Sequence, residues 1–136
     1  MYKKILVPLD GSKLAEIALS HAESLAAKYQ AELVFLTVID PPTMTGRDGI
    51  AVNLFQKEMD TKIEEAETYL TVLKNQFEKK KIKTKRIVTV GSVVRNIIET
   101  ANGESVDLVL IASHGHSGLK RVFFGSVAAG ILNSIE

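Results

Sequence analysis

The chain has 136 residues with 17 lysines and arginines, 16 aspartates and glutamates, and no cysteine. This length fits a single domain over residues 1–136, and 46% hydrophobic with 24% charged residues is typical of a folded chain rather than a disordered one. The net charge of +1 argues against a protein whose main task is nucleic acid binding, and the lack of cysteine excludes disulfides, thiol nucleophiles and cysteine-ligated zinc. The first apolar run is broken by Pro8 and Asp10, and no stretch approaches about 18 apolar residues, so we expect a cytoplasmic protein with no signal peptide and no membrane span.

Short apolar runs alternate with stretches of helical periodicity along the chain. The predicted order is a strand over 5–9, a helix over 14–29, a strand over 33–39, a loop over 40–49, a helix over 53–80, a strand over 87–90, a helix over 94–101, a strand over 106–112 and a helix over 126–133. This alternation predicts an α/β fold with an open parallel sheet and helices on both faces.

Ligands of open α/β sheets bind outside the carboxyl ends of the strands. The residues that follow the predicted strands are therefore the first candidates for a site: Pro8, Asp10, Gly11, Ser12, Val38, Ile39, Asp40, Gly91, Ser113, His114 and Gly115. Ser12 is better explained as the cap of the first helix. Asp10 is equally compatible with a turn role, and Gly91 with a simple strand end.

The segment after the fourth strand carries the densest signal. Gly115 and Gly125 bracket nine residues, and Gly125–Ser126 is predicted to open the last helix. Glycines allow backbone N–H groups to approach a phosphate, and a helix N-terminus supplies free donors. The segment therefore predicts a phosphate cradle. His114 and His116 lie in it without a third ligand at a suitable spacing, so neither metal ligation nor general-base catalysis is expected.

Two segments together resemble the universal stress protein (UspA) family: the opening over 5–12, and the stretch from Ser113-His114-Gly115 to Gly125-Ser126-Val127. The elements between them also fit, so the resemblance covers essentially the whole chain. The nucleotide-binding branch of that family carries Gly, two residues, Gly, nine residues, then Gly and Ser or Thr. Here Ala112 stands at the first position, followed by Gly115, Gly125 and Ser126. The resemblance implies a Rossmann-like, adenine nucleotide α-hydrolase-like fold and a nucleotide-dependent regulatory role in the stress response.

The resemblance also implies a ligand, ATP or another adenine nucleotide, with Mg²⁺ accompanying the triphosphate. It places the adenine beside the Val38 backbone and the ribose near Asp10. The nucleotide-binding set that we expect is Pro8, Leu9, Asp10, Val38, Ile111, Ala112, Ser113, His114, Gly115, His116, Ser117, Gly125, Ser126 and Val127. No catalytic residue and no metal site held by the protein alone is expected.

Two alternative functions stay open at this point. Alanine at position 112 is tolerable if its φ is negative, whereas a Cβ that crowds the phosphates would favour a nucleotide-free interaction protein of the same family. Lys120 or Arg121 would supply charge for a slow ATPase, although no well-placed carboxylate base is evident beyond Asp10, which is expected at the nucleoside end.

The resemblance finally implies a short apolar C-terminal strand that often pairs two subunits. The sequence ends at Ile135–Glu136 before such a strand, which fits either a naturally short chain or a truncated one. We expect a homodimer that lacks this usual contact element, and an unidentified regulatory protein partner.

Overall fold

A computed structural model of the chain describes residues 2–41, 49–114 and 120–125. Its elements are β1 (Lys4–Pro8), α1 (Lys13–Tyr29), β2 (Glu32–Ile39), α2 (Gly49–Lys79), β3 (Thr84–Val90), α3 (Val93–Gly103), β4 (Leu108–His114) and β5 (Lys120–Gly125). The predicted elements up to β4 are confirmed, and the largest difference is at α2, which begins at Gly49 rather than at residue 53. The predicted helix over 126–133 lies outside the described residues.

The strands form one sheet in the order β3-β2-β1-β4-β5. The pairs β1–β2, β1–β4 and β2–β3 are parallel, which confirms the open parallel sheet for the first four strands. The chain runs outward from β1 to β2 and β3 and then crosses to the other side of β1 to form β4. The strand order therefore reverses between β1 and β4, which is where open α/β sheets place their ligands.

The fifth strand was not predicted. β5 pairs antiparallel with β4, so the complete sheet is mixed rather than purely parallel. The sequence Val122-Phe123-Phe124 has high strand propensity, and β4 supplies the neighbouring strand that such a short segment needs. For this segment the sequence predicts only a phosphate cradle and no secondary structure.

The core is divided between the two faces of the sheet. Alternate residues of β1 and β2 point to opposite faces, as strand geometry requires. One face packs Ile5 and Phe35 against α1 and α2, and the other packs Leu6 and Leu36 against α3. Helices therefore cover both faces, as predicted. α1 approaches its face closely because its buried residues are mostly alanine: Ala15, Ala18, Leu19, Ala22 and Ala26.

The turn into α1 is built as the sequence predicts. Ser12 is the N-cap, and its hydroxyl oxygen accepts from the Ala15 N–H at 3.3 Å. Gly11 precedes it with φ +82°, a conformation in which a Cβ is strained. Within the described ranges, no helix is both long enough and apolar enough to cross a membrane.

Candidate functional site

A cleft of about 320 Å³ opens at the carboxyl edge of the sheet. Its walls are the ends of β1, β2 and β4 and the first turns of α1 and α3. It lies at the point where the strand order reverses. Its volume is at the lower end of the range of about 300–1,000 Å³ that is usual for small-molecule sites.

Six residues of the predicted nucleotide-binding set line this cleft: Pro8, Leu9, Asp10, Val38, Ile111 and Ala112. They come from three neighbouring strands and the turn that follows β1. Because parallel strands end at the same edge of a sheet, residues far apart in sequence meet there. The structure thus brings together the part of the set that was assigned to the base and the ribose, with Ile111 and Ala112 beside it.

The α3 wall of the cleft was not predicted. Val93, Val94 and Ile97 line it, and 43% and 46% of the surface of Val93 and Val94 stays exposed. The sequence predicts the short helix over 94–101, and none of its residues is assigned to a site. The sequence signal for this wall is the pair of adjacent valines directly after Gly91–Ser92. Apolar residues that pack a helix on a sheet recur every three or four positions, so packing alone needs only one of the two valines.

The backbone of Val38 presents one donor and one acceptor toward the cleft. Peptide groups of alternate residues in a strand point to the same side, and the Leu36 carbonyl accepts from the Leu9 N–H on the β1 side at 2.7 Å. Val38 therefore directs its N–H and C=O to that side as well. Since Pro8 is in register with Leu36, Val38 is level with Asp10, where β1 has already ended. A planar ring with an adjacent donor and acceptor can pair with Val38 from the cleft.

Asp10 holds the turn and still faces the cleft. Its Oδ1 accepts from the Ser12 N–H at 2.9 Å, the local turn role predicted for it. An ionised carboxylate has about four acceptor positions, and Asp10 is exposed. The carboxylate can therefore hold the turn and accept hydrogen bonds from ligand hydroxyls at the same time.

The predicted phosphate cradle is only partly described. Ser113 and His114 are the last residues of β4 and lie in the ladder with β5. Gly125 ends β5 opposite Val109. Val109 precedes Ala112 by three residues, which is about 10 Å at a rise of about 3.3 Å per residue. The structure therefore does not bring Gly125 to the cleft. The remaining members lie outside the described residues: Gly115, His116, Ser117, Ser126 and Val127.

A second cleft, of about 310 Å³, lies on the α2 side of the same edge, and Asp10 belongs to its lining together with Lys62 and Tyr69. Burial raises the pKa of the Tyr69 phenol, and the negative charges of Glu16 and Asp10 raise it further because they disfavour a phenolate. The Asp10 carboxylate therefore lines both clefts, and its negative charge acts on Tyr69 of α2.

A wider groove of about 450 Å³ runs along α2 and β3, away from the strand ends. Its charged walls include Asp60 and Glu64, and the Arg86 guanidinium lies 3.6 Å from the Glu67 carboxylate. Among the described residues, no group of three or more histidines, aspartates or glutamates is arranged to hold a metal ion. The carboxyl-edge cleft is a better candidate for a ligand site than the groove along α2 and β3, because it combines apolar walls with a few convergent polar groups.

Residues 1–136 match the model of the Universal stress protein family. The chain belongs to the universal stress protein family. It is similar to universal stress protein MJ0577 of Methanocaldococcus jannaschii, with 35% identity over 97% of this chain and 89% of that protein. It is also 29% identical to universal stress protein YxiE of Bacillus subtilis, over 94% of this chain and 90% of that protein.

Solved structures of universal stress proteins share the fold. The MJ0577 structure is 37% identical with a TM-score of 0.70, over 88% of this chain and 80% of that one. UspA from Lactobacillus plantarum has a TM-score of 0.74 at 23% identity, over 97% of this chain and 91% of that one. These likenesses confirm the α/β fold and the family that the two sequence segments indicated.

Proposed function

We propose that this universal stress protein binds an adenine nucleotide in the carboxyl-edge cleft and acts as a nucleotide-dependent regulatory module in the stress response. The observation that carries the proposal is the juxtaposition of the Val38 peptide groups with the Asp10 carboxylate across the end of β1. One supplies a paired donor and acceptor for a base, and the other supplies acceptors for sugar hydroxyls.

The chemistry of the cleft favours adenine over guanine. Adenine offers the N6 amino donor next to the N1 acceptor, which complements the C=O and N–H of Val38. Guanine in the same orientation would place its O6 acceptor at the Val38 C=O and its N1–H donor at the Val38 N–H, and so would mismatch both groups. The half-exposed Val93 and Val94 supply apolar surface for the ring. We expect GTP to bind at least about tenfold more weakly than ATP, since a bidentate base contact discriminates by about 1–3 kcal/mol.

The phosphates would extend from Asp10 toward the end of β4. Ala112 lines the cleft there, and the glycine-rich segment from Ser113 to Val127 follows it in the sequence. Mg²⁺ would be held mainly by the phosphate oxygens, because magnesium keeps several waters and takes few protein ligands. The ligand that we propose is therefore Mg-ATP.

Universal stress proteins of the same fold support this assignment. One has been solved in complex with cAMP, at 20% identity and a TM-score of 0.51. A family member from Arabidopsis thaliana has been solved with AMP bound, at 12% identity and a TM-score of 0.58.

A regulatory role fits the cleft better than dedicated catalysis. Phosphoryl transfer to water needs a group that positions the attacking water at the terminal phosphate, whereas Asp10 lies at the nucleoside end of the proposed site. We propose at most weak ATP hydrolysis. We also propose that nucleotide binding changes contacts with a second subunit or with a regulatory protein in the cytoplasm.

Calorimetric titration with Mg-ATP tests the proposal, together with an assay for nucleotide released on denaturing the purified protein. We expect micromolar binding or co-purified ATP, with affinity reduced at least tenfold by Asp10→Ala. Asp40→Ala is the matched control, since Asp40 follows β2 at the same edge and does not line the cleft. No binding at millimolar ATP and no released nucleotide would refute the proposal.

The nucleotide-free alternative has two observations in its favour, Ala112 at the first glycine position and Gly125 opposite Val109. Ala112→Gly separates the two functions. If the native site is competent, Ala112→Gly should change the ATP affinity by less than about threefold, which is about the contribution of one weak contact. A large gain would mean that Ala112 blocks the site in the native protein. Gly125→Ala and Ser126→Ala then test whether the glycine-rich segment contributes: weaker ATP binding in both variants would show that it does, and unchanged binding in Gly125→Ala would agree with the position of Gly125 opposite Val109.

A further inference from the structure

β2 carries a buried hydroxyl that bonds the chain segment leading to Asp10. Thr37 is 8% exposed in a strand whose buried residues are otherwise apolar. Its Oγ1 donates to the Leu9 carbonyl at 2.9 Å, across 28 positions of sequence. We propose that Thr37 is a positioning residue for nucleotide binding, which acts by fixing the orientation of Asp10 at the cleft; this inference rests on the proposed function.

The bond acts on the peptide unit that directly precedes Asp10. The Leu9 carbonyl and the Asp10 N–H belong to one planar group, so holding the carbonyl fixes the rotation of that plane. The Leu9 N–H is held as well, by the Leu36 carbonyl at 2.7 Å. Both polar groups of Leu9 are therefore bound to consecutive residues of β2, and the Leu9 side chain is buried in the core.

Asp10 is fixed from the other side by its own turn. Its Oδ1 accepts from the Ser12 N–H at 2.9 Å, and Gly11 between them takes a φ of +82°. Without the Thr37 bond, the Leu9 N–H would be the one hydrogen bond left between this turn and β2 among the described residues, and the peptide before Asp10 could rotate. The carboxylate would then lose its fixed position opposite Val38.

Thr37→Val tests the inference because it removes the hydroxyl while keeping a branched side chain. Thr37→Ser restores the hydroxyl without the methyl group. Thr89→Val is the matched control, since the Thr89 hydroxyl on β3 is also buried but has no hydrogen-bond partner among the described residues.

The first readout uses the protein without ligand. In NMR spectra, Thr37→Val should shift the Asp10 carboxyl carbon and remove the hydrogen-bond shift of the Ser12 amide proton. Thr37→Ser and Thr89→Val should leave both signals in place. Unchanged signals in Thr37→Val would overturn the inference, whether or not any nucleotide binds.

The second readout compares ATP with its 2′,3′-dideoxy analogue, which lacks the hydroxyls assigned to Asp10. We expect Thr37→Val to weaken ATP binding roughly fivefold, about the contribution of one hydrogen bond, and to leave binding of the analogue unchanged. An equal loss for both ligands would show a merely structural role for Thr37 and overturn the inference. If the wild-type protein binds neither ligand, the proposed function fails, and so does a role for Thr37 in nucleotide binding. The NMR result then still decides whether Thr37 orients Asp10.

Discussion

Gly91 lies between β3 and α3, and replacing it with alanine should destabilise the protein by about 2–4 kcal/mol. Its φ is +139°, a conformation that L side chains rarely adopt, and a Cβ would come within 2.8 Å of the Asn96 Nδ2. The backbone strain costs about 1–3 kcal/mol. Displacing Asn96 would also break its hydrogen bond to the Ser92 carbonyl, 2.8 Å long, for about 0.5–1.5 kcal/mol more.

Two other glycines separate these contributions in urea unfolding followed by circular dichroism. Gly11 has a φ of +82°, and none of the other residues that the structure describes lies within 4 Å of the position that a Cβ would take there. Gly11→Ala should therefore cost only the strain of a left-handed conformation, about 1–2 kcal/mol. Gly103 is the last residue of α3 with open space around it, so Gly103→Ala should stabilise by up to about 1 kcal/mol. The reasoning is refuted if Gly91→Ala costs no more than Gly11→Ala, or if Gly91→Ala costs as much in an Asn96→Ala background, where the hydrogen bond to Ser92 is already lost, as it does in the native sequence.

Three further predictions concern the fold. Hydrogen bonds from Lys85 and Lys4 hold the pKa of Glu104 below its ordinary value of 4.5. The carboxylate therefore stabilises the fold above that pH, and its contribution is lost as the pH falls through the lowered pKa. Glu104→Gln should cost about 0.5–1 kcal/mol at pH 7 and nothing near about pH 2, as measured by urea unfolding at each pH. Asp107→Ala should cost about 1–2 kcal/mol in the same assay, because its Oδ2 accepts from the Lys3 and Lys4 N–H groups at 2.7 and 2.9 Å, and Asp107→Asn should cost less. Phe77→Ala should lower thermal stability by about 3–5 kcal/mol, since Phe77 is buried edge-to-face against Phe35 with ring centroids 5.2 Å apart; a loss below about 1 kcal/mol would show that the site is not tightly packed.

The sequence was sufficient to predict the parallel part of the fold and several residues that line the carboxyl-edge cleft. Strands buried on both faces show as nearly continuous apolar runs, and the run over 33–39, interrupted by Thr37, is an example. Once the strands are placed, their carboxyl ends must meet, which is why Asp10 and Val38 were expected to lie close together, and both line the same cleft.

The parts that were missed depend on tertiary register. Thr37 looks like any β-branched strand residue in the sequence, and only the alignment of β1 with β2 places its hydroxyl on the Leu9 carbonyl. Val93 enters the cleft because of the direction in which α3 leaves β3. β5 becomes a strand because β4 offers a free edge to it. The strand propensity of Lys120–Gly125 does not by itself reveal that such an edge is present.

The most direct test of the central claim is an amide NMR titration of the uniformly ¹⁵N-labelled protein with Mg-ATP. The proposed site predicts saturable shifts that centre on Val38, Asp10 and Val94, with much smaller shifts at the same concentration of Mg-GTP. Shifts that centre on the groove between α2 and β3, around Glu67 and Arg86, would contradict it. So would spectra that stay unchanged at millimolar ATP.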